Sequence, residues 1–403
     1  MADGSFDVVV VGASLAGCTA ATLFARAGLR VALLEAHRDP AHYKRACTHF
    51  VQASAVPTLR ELGWEEAIAA AGGLPNRIET WTRWGWLRPD PRPGAFGYNI
   101  RRSRLDPLVR ALTAEEPGVT LLLGHTVSNL LVDGGRVGGV VARSFQGERT
   151  FRARLVVGAD GRHSRVGRAA GLPFRERPHG RFVYFAEFEG VELRSAGASR
   201  MWLLEPDVAY AFPNDGVTVL SVMPAAASLP EFRRAPEAGL LETLRGLPDG
   251  PDLAGARRVS PLTGVLHYSC TRRRAAAPGV ALAGDAAMTS DYLWGVGCGF
   301  AFQSARWLVE ATAGAFGSDG DVDAALRRYR RVHGRTLAGH HALTTSFASG
   351  RPLNAVERML FSAAVTDPVT AERLRRYAER WVGPSHLLGP AALARAAVVG
   401  VAG

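Results

Sequence analysis

The stretch FDVVVVGASLAGCTAATLFARAG, residues 6–28, decides the fold class of this chain. It begins with a run that contains four consecutive valines, residues 8–11, a pattern typical of a strand buried on both faces. Residues 15–27 then show the apolar spacing of a helix that ends at Gly28, a natural helix stop. A second apolar run, residues 29–35, predicts another buried strand, so the segments together predict a βαβ unit of about thirty residues.

The turn between that strand and helix is close to a dinucleotide-binding fingerprint. The pattern G-x-G-x-x-G is met at Gly12 and Gly17, while Ser14 replaces the middle glycine. Gly12 permits the tight turn, Gly17 permits close packing, and the helix N-terminus faces the phosphates. Ser14 is small and its hydroxyl can bond a phosphate oxygen, while Glu35 ends the second strand where a ribose is bound. Alone, this turn leaves NAD, FAD and no nucleotide all open.

Composition and charge exclude several other classes of protein. Apolar residues make up 47% and charged residues 21% of the 403 residues, as in a globular protein with a large core. The net charge of +11 is spread along the chain rather than clustered, which argues against a nucleic-acid partner but favours an anionic cofactor or substrate. The four cysteines form no C-x-x-C pair, so we expect no metal site and a reduced, cytoplasmic chain.

Neither apolar end of the chain predicts membrane insertion. Residues 8–25 lack a preceding basic segment and a following small-residue cleavage site, so they do not resemble a signal peptide. The tail, residues 391–403, is interrupted by Arg395 and is too short to span a bilayer. We therefore expect no stable membrane insertion.

The order of elements predicts a nucleotide-binding domain that is interrupted by a β-rich insert. Helices are expected at residues 53–63 and 102–115, a strand at 78–89, and a meander at 119–161. From about residue 178 to 277, short strands predict an antiparallel sheet with one exposed face. Residues 279–287 again show the apolar pattern that is typical of a strand in a parallel sheet. The fold class is therefore α/β: a Rossmann-like, three-layer domain with a mostly parallel sheet, a β-rich substrate domain and C-terminal helices. The predicted boundaries are 1–75, 101–177 and 278–335 for the nucleotide domain, 76–100 and 178–277 for the substrate domain, and 336–403 for the C-terminal helices.

Three further segments carry a family resemblance. LVVGADGRHSRVGRAAG, residues 155–171, centres on Asp160 and Gly161, and GVALAGDAAMTSDYLWGVGCGFAFQSA, residues 279–305, centres on Gly284 and Asp285. RRSRLDPLVRAL, residues 101–112, matches an R-x-x-[LF]-D helix. With the first turn, they resemble the FAD-dependent aromatic hydroxylase superfamily (group A flavoprotein monooxygenases), which also holds geranylgeranyl reductase-like enzymes and halogenases. The resemblance covers residues 5–335 in the correct order and implies FAD as the cofactor.

The resemblance implies cofactor contacts in several segments. The carboxylate of Asp285 would bind the ribityl chain, and Arg102 would contact the flavin. A glycine-rich turn after Asp285 would open a helix whose N-terminus stabilises the negative charge of reduced flavin. The residues expected to bind FAD are Gly12, Ser14, Leu15, Ala16, Gly17, Glu35, Ala36, Arg45, Arg102, Val127, Asp160, Gly284, Asp285, Gly295, Gly297, Cys298 and Gly299.

Candidate catalytic residues come from two segments near the expected flavin. In this superfamily the loop at residues 43–52 passes the flavin, so Cys47 and His49 are candidates to line the ring, and an imidazole can serve as acid or base. Tyr292 and Trp294 are candidates from SDYLWGVGCG, a segment that departs from the aromatic hydroxylases and resembles the reductase-like branch more. Within the β-rich insert, the expected walls of the substrate pocket are Trp202, Tyr210 and Phe212.

The main functional prediction is a monooxygenase. NAD(P)H, bound only transiently because no second fingerprint is present, would reduce FAD, and a flavin C4a-hydroperoxide would oxygenate an aromatic or polyketide-like small molecule. The first alternative is a reductase or dehydrogenase that acts on a C=C or C–H bond. A halogenase is disfavoured because WGWLRP, residues 84–89, lies too early for that family's motif and Lys44, the only lysine, is not where that family keeps its catalytic lysine. A non-catalytic nucleotide-binding protein is the last alternative, and no oligomeric state is predicted.

Overall fold

The computed structural model describes residues 4–89, 96–195 and 197–401. In chain order, the strands β1–β22 are Gly4–Val11, Val31–Glu35, Phe50–Val51, Leu74–Asn76, Ile78–Thr82, Gly85–Leu87, Gly97–Asn99, Val119–Leu123, Thr126–Asp133, Arg136–Ser144, Gly147–Gly158, Phe174–Arg177, Val183–Glu189, Ser199–Leu203, Val208–Asn214, Val217–Met223, Arg257–Arg258, Thr263–Val265, Cys270–Arg273, Ala276–Ala277, Val280–Leu282 and Met288–Thr289. The helices α1–α13 are Leu15–Arg26, Val56–Glu61, Glu65–Ala70, Arg102–Ala114, Arg165–Ala169, Leu229–Phe232, Pro236–Arg245, Val296–Thr312, Asp319–Ala348, Ala355–Thr366, Pro368–Ala378, Pro384–Leu388 and Pro390–Val401.

The first sheet is built around β1. Its main path runs β20-β21-β11-β1-β2-β8, and β21, β11, β1, β2 and β8 pair in parallel. The valines of β1 alternate between two cores: Val8 and Val10 face helices α1, α4, α8 and α9, while Val9 faces α5 and the meander β9-β10-β11. Helices, parallel sheet and meander therefore form three layers, and the predicted α/β fold class is confirmed.

Strand β8 corrects one detail of the prediction. It was expected to begin the meander, but it pairs in parallel with β2, where Leu33 lies opposite Leu121. The helix α4 precedes β8, and a helical crossover is the connection that a parallel pair requires. The meander consists of β9, β10 and β11 alone.

The second large sheet has the order β17-β13-β16-β15-β14-β5-β6, with β18 beside β13. Residues 78–89 form a hairpin of β5 and β6 rather than one strand, and the turn ends at Gly85, which has a φ of 131°. Helix α7 covers one face of this sheet, and the C-terminal helices α10, α11 and α13 cover the other. The expectation of one exposed face is therefore wrong, because the sequence pattern did not reveal α7 or where the C-terminal helices pack.

Two three-stranded sheets complete the structure, with the orders β3-β7-β4 and β12-β19-β22. The division of the chain into domains stays a prediction. Within the described ranges, no helix combines the length and apolarity needed to cross a membrane.

Candidate active site

The turn between β1 and α1 packs closely against the end of β11 and leaves the first amides of α1 uncapped. Gly12 has a φ of 102°, and a Cβ there would press on the carbonyl of Ala159, immediately after β11. A Cβ at Gly17 would collide with the Gly12 carbonyl, so Gly17 serves the packing of α1 rather than the cavity. Ser14 is the N-cap of α1, but its side chain makes no capping hydrogen bond. The amides of the first turn of α1 are therefore left for another partner.

Glu35, at the end of β2, braces this turn. Its Oε2 accepts the amide of Ala13 at 2.8 Å, and its Oε1 accepts the amide of His37 at 2.9 Å. The side chain is buried, with 8% of the residue exposed, and it lines the adjoining cavity. A carboxylate has about four acceptor positions, so Glu35 can still accept hydrogen bonds from a ligand's hydroxyl groups.

A cavity of about 720 Å³ lies at the carboxyl ends of the parallel strands, the usual ligand position in open α/β sheets. Its volume is typical of cofactor sites. Most predicted cofactor residues line it: Gly12, Ser14, Leu15, Ala16, Glu35, Ala36, Arg102, Val127, Asp160, Gly284, Asp285, Gly295, Gly297 and Cys298. Of the predicted catalytic residues, Cys47 and Tyr292 line it as well.

Other predicted residues lie elsewhere. The Arg45 side chain is exposed on the surface. Gly299 faces Arg380, and a Cβ at Gly299 would collide with that guanidinium. Arg380 is buried, and it donates to Gln52, to Ser54 and to Gln303. Gly299 thus makes room for a side chain of the C-terminal helical region rather than for the cavity.

The glycine-rich segment after Asp285 differs from the predicted turn. Helix α8 begins at Val296, and Gly295 is its N-cap with a φ of 58°. Gly297 and Gly299 lie within the first turn of the helix and point to different sides of it. A Cβ at Gly297 would meet no atom within 4 Å, because this residue faces the open cavity.

The Arg102 side chain joins two parts of the cavity wall, the helix α4 and the start of α1. Its Nη2 lies 2.6 Å from Asp106 Oδ1 and donates to Ser14 Oγ at 2.9 Å. Burial would lower the pKa of the Arg102 guanidinium, but the charge of Asp106 outweighs this and raises it. Arg102 is therefore a fixed positive charge beside the turn of α1.

Lys44 is a cavity residue that the sequence prediction missed. Its Nζ lies 2.6 Å from Asp285 Oδ2, and its amide donates to Asp106 Oδ2 at 2.9 Å. Lys44 is the only lysine among the 48 lysine and arginine residues of the chain. This rarity was the feature of the sequence that could have indicated a special role for it. No local pattern pairs Lys44 with Asp285, because the two residues are 241 positions apart in the chain.

His49 lies behind the cavity wall rather than on it. Its Nδ1 accepts the amide of Arg102 at 2.9 Å, and its Nε2 lies 4.0 Å from Glu187 Oε1. Burial lowers the pKa of His49, so the imidazole is neutral at neutral pH. In this position His49 connects the loop at residues 43–49 to the start of α4.

Two tyrosines form an aromatic wall of the cavity. The ring centroids of Tyr268 and Tyr292 are 4.6 Å apart, and the Arg162 guanidinium carbon lies 4.3 Å from the Tyr268 ring centroid. Burial raises the pKa of both tyrosines, so both are neutral phenols at neutral pH. Sequence reasoning missed Tyr268, because nothing in the β-rich segment marks it as a neighbour of Tyr292.

A buried ionic cluster fixes the segment that carries Tyr292. Asp291 Oδ2 lies 3.1 Å from both His179 Nε2 and Arg181 Nη1, and its Oδ1 accepts the amide of Leu293 at 2.9 Å. Burial would raise the pKa of Asp291, but the hydrogen bond and charge of His179, with Arg181, lower it. Burial would lower the pKa of His179, but Asp291 raises it. The cluster therefore holds a charged pair against the back of the site.

A second, apolar cavity of about 90 Å³ adjoins the first and shares Phe50 and Gly295 with it. It lies between the second sheet and helices α10 and α11, and its lining includes Met201, Phe212, Leu293, Trp294 and Leu374. Trp294 also lines a third cavity of about 80 Å³ under the C-terminal helices, so it stands between the two apolar spaces.

The expected walls of the substrate pocket divide between the two faces of the second sheet. Phe212 lines the apolar cavity, and Tyr210 is buried with its hydroxyl donating to the Leu293 carbonyl. Trp202 lies on the opposite face, where its ring centroid is 5.9 Å from that of Trp86. Adjacent side chains on a strand alternate between faces, so Trp202 and Met201 cannot both face the cavity.

Known proteins are similar to this chain in sequence and in fold. The family described as "FAD binding domain" matches residues 5–234. Digeranylgeranylglycerophospholipid reductase 1 of Methanopyrus kandleri is 29% identical over 343 residues, which cover 81% of this chain and 85% of that protein. The 6-methylpretetramide 4-monooxygenase of Streptomyces rimosus is 34% identical over 182 residues, 43% of each chain. The structure of the flavin-dependent brominase Bmp2 superposes with a TM-score of 0.81 at 18% identity over 98% of both chains, a likeness of fold.

Proposed function

The chain belongs to the FAD binding domain family and is an FAD-dependent oxidoreductase, and we propose that it is a monooxygenase of an apolar, aromatic or polyketide-like small molecule. The observation that carries the proposal is the contact between the two cavities at Phe50 and Gly295. A cofactor in the larger cavity and an apolar substrate in the smaller one would meet there. NAD(P)H is the proposed reductant, and it would bind transiently because the sequence has one nucleotide fingerprint.

The residues of the larger cavity fit FAD. Gly297 presents bare backbone to the open space, as a flat ring stacked against a helix start requires. Asp160 Oδ2 accepts the amides of Arg165 and Val166, while its Oδ1 is buried without a hydrogen-bond partner among the described residues. A buried acceptor of this kind calls for a donor, which a ligand can supply. When bound, FAD supplies the two-electron redox chemistry and the activation of oxygen.

We expect each part of the cofactor to have its own partners. The amides of Leu15 and Ala16 would hold the pyrophosphate, and Glu35 would accept from ribose hydroxyl groups. Asp285 would give up part of its contact with Lys44 and accept hydrogen bonds from the ribityl chain. The Lys44 ammonium would add positive charge near the anionic groups of the cofactor. The first turn of α8 would face the flavin ring.

The apolar cavity defines the class of substrate. Its lining is aliphatic and aromatic around the junction, where the ring centroids of Phe50 and Phe212 are 5.2 Å apart. Its charged lining residues include Arg77, Arg88, which pairs with Glu79, and Arg375, which pairs with Glu372. An apolar ring system that carries a phenolate or carboxylate fits this combination, because the rings exclude water and the anion meets the arginines.

Proton supply favours oxygenation over reduction of a double bond. Hydrogenation of a C=C bond needs a proton donor beside the carbon that receives the proton. Among the described residues that line the apolar cavity, the one carboxyl group belongs to Glu379, which accepts a hydrogen bond from the Trp381 indole. Phe212 and Leu293, beside the junction, carry no acidic proton. An apolar chamber instead suits oxygen transfer, since it limits the access of water to the reacting groups.

A reductase of an isoprenoid chain is the second candidate. The observation that favours it is the relative from Methanopyrus kandleri, which matches 81% of this chain and is named for a lipid with geranylgeranyl chains. The two apolar cavities on either side of Trp294 would suit an elongated chain. Lysine-dependent halogenation receives no such support, because the only lysine pairs with Asp285 in the larger cavity.

The test is the oxygen dependence of turnover with two probes. The purified protein with bound FAD is given NADPH or NADH and 1,8-dihydroxyanthraquinone under ¹⁸O₂, and the product is analysed by mass spectrometry. We expect consumption of the reduced nucleotide, one labelled oxygen atom in the product and no product without oxygen. Geranylgeranyl diphosphate is the second probe, offered to the dithionite-reduced protein without oxygen. Reduction of its double bonds, with no labelled product from the first probe, would replace the monooxygenase proposal by the reductase.

A further inference from the structure

Two cysteine sulfurs face each other at the wall of the larger cavity. Cys47 Sγ, in the loop after β2, lies 4.0 Å from Cys298 Sγ, in the first turn of α8. Both residues line the cavity, where Cys47 is partly exposed and Cys298 is buried. These segments are 251 residues apart in sequence, and the fold brings the two thiols together at the position expected for the flavin.

The surroundings of the two sulfurs stabilise negative charge. Arg102 Nη1 lies 3.9 Å from each sulfur, and the amide of His49 donates to Cys47 Sγ at 3.3 Å. Cys298 also lies at the positive end of α8. Positive charge and amide donors around a thiol are the environment of reactive rather than structural cysteines.

The two thiols differ in acidity. The hydrogen bond from Cys298 lowers the pKa of Cys47 well below the usual range, and Arg102 adds to this although burial opposes it. The same hydrogen bond, with burial, raises the pKa of Cys298. Cys47, which also accepts the amide of His49, is therefore the nucleophile of the pair, and Cys298 is its partner thiol.

We propose that Cys47 and Cys298 form a redox-active dithiol in the cofactor cavity, which hydrogen peroxide oxidises to a disulfide. The Cys47 thiolate attacks one oxygen of the peroxide, an S–O bond forms, and the O–O bond breaks to release hydroxide. The Cys298 sulfur then attacks the Cys47 sulfenic acid, an S–S bond forms, and the Cys298 proton leaves with the departing oxygen as water. The two sulfurs lose two electrons, and the peroxide gains them.

This site goes beyond the proposed oxygenation and does not depend on it. Flavoenzymes that meet oxygen without substrate release hydrogen peroxide, so the oxidant would arise beside the dithiol. The disulfide would connect the loop at residues 43–49 to α8, and a thiol reductant such as dithiothreitol would reverse it. The sulfurs need to approach from 4.0 Å to about 2 Å, and Cys47 lies in a loop without helix or strand.

The test counts thiols after exposure of the flavin-containing protein to hydrogen peroxide. The protein is quenched with catalase, unfolded, labelled with a maleimide and weighed by mass spectrometry. We expect the wild type to lose two of its four free thiols and to yield one crosslinked peptide pair that joins Cys47 to Cys298. Dithiothreitol before labelling should restore both thiols.

The other two cysteines provide the matched control. Burial raises the pKa of Cys18 to about 12 and that of Cys270 to about 11, so neither should react. The double variant Cys18→Ser, Cys270→Ser should still lose two thiols. Cys298→Ser should lose one thiol and form a dimedone adduct at Cys47, and Cys47→Ser should lose none.

Two results would overturn the proposal. One is a wild-type protein in which Cys47 stops at the sulfenic acid while Cys298 stays free. The other is oxidation that proceeds equally in Cys47→Ser or that joins a different pair. If a serine variant fails to fold, the crosslinked peptides of the wild type still decide between these outcomes.

Discussion

Arg102 donates from its Nη2 to the Oγ of Ser14 at 2.9 Å, so the side chain that replaces the second glycine of the fingerprint is held by the helix α4. The same guanidinium is paired with Asp106 and cannot turn away easily. The hydroxyl at position 14 is therefore part of the cavity wall. A glycine at this position would leave Arg102 without this partner.

Replacement of Ser14 by valine should weaken the binding of FAD. The change removes the hydrogen bond with Arg102 and adds bulk at the start of α1, and a bond to a charged group contributes about 1.5–3 kcal/mol. We expect the dissociation constant to rise by about tenfold or more. Titration of the flavin-free protein, followed by flavin fluorescence, measures it. Ser14→Ala removes the bond without the bulk and should have a smaller effect, and full affinity in Ser14→Val would show that the phosphates lie elsewhere.

Gly297→Ala should separate cofactor binding from stability. Among the described residues, a Cβ at this position would meet no atom within 4 Å, and alanine in a helix is more stable than glycine by about 0.5–1 kcal/mol. The flavin-free variant should therefore melt at a higher temperature than the wild type yet bind FAD more weakly. Gly320→Ala, in the first turn of α9, is the matched control and should gain stability with unchanged FAD binding. Unchanged FAD affinity in Gly297→Ala would mean that no ring lies against this turn.

Ala371→Phe should impair substrate turnover without loss of FAD. Ala371 lies on α11 and lines the apolar cavity, so a phenyl group there would occupy space that the substrate needs. We expect a KM at least about tenfold higher, with the visible flavin spectrum unchanged. Val369→Phe, on the same helix but 42% exposed, should behave like the wild type. Equal effects of the two variants would place the substrate outside this cavity.

The His179–Asp291 pair should make stability depend on pH. The pKa of His179 is raised in the folded state from its ordinary value of 6.5, so its stabilising contribution is complete below that pH. That contribution is lost as the pH rises through the folded-state pKa. The free energy of unfolding of the wild type should therefore exceed that of His179→Gln by an amount that shrinks as the pH rises above about 6.5.

The comparison of these two proteins isolates His179, because the other buried histidines are common to both. The pKa values of His333, His340 and His341 are lowered, chiefly by burial, so these residues change stability in the opposite direction. Urea denaturation at several pH values gives the difference. A difference that stays constant with pH would mean that His179 is not charged in the folded protein.

Short contiguous segments made much of the fold and the larger cavity predictable. Gly12, Glu35 and Asp285 each follow or end a buried strand of the parallel sheet, so their strand positions bring them to the same edge. Parallel strands share the position of their carboxyl ends, and this requires no knowledge of side-chain contacts. The family resemblance supplied the order of the remaining segments.

Contacts between distant segments could not be predicted in the same way. Lys44 meets Asp285 across 241 residues, and Tyr268, in the loop between β18 and β19, meets Tyr292 in the segment before α8. No local pattern encodes such pairs, since each depends on how two sheets and several loops are placed. Gly297 faces the cavity and Gly299 faces Arg380, because residues two positions apart on a helix point about 200° away from each other. This difference could be predicted only with knowledge of where α8 begins.

The space at Gly299 sets a rule for exchanging parts between relatives. The Arg380 side chain, from the segment after α11, occupies the volume that a Cβ at position 299 would need, and it bonds to Gln52 and Ser54 in the first third of the chain. A chimera that takes its C-terminal helices from a relative receives the residue at position 380 from that relative. The residue at position 299 then comes from the recipient and has to fit it. Where the donor segment carries an arginine at this place, the recipient needs glycine at position 299. Shuffled libraries built to change substrate range should therefore vary these two positions together.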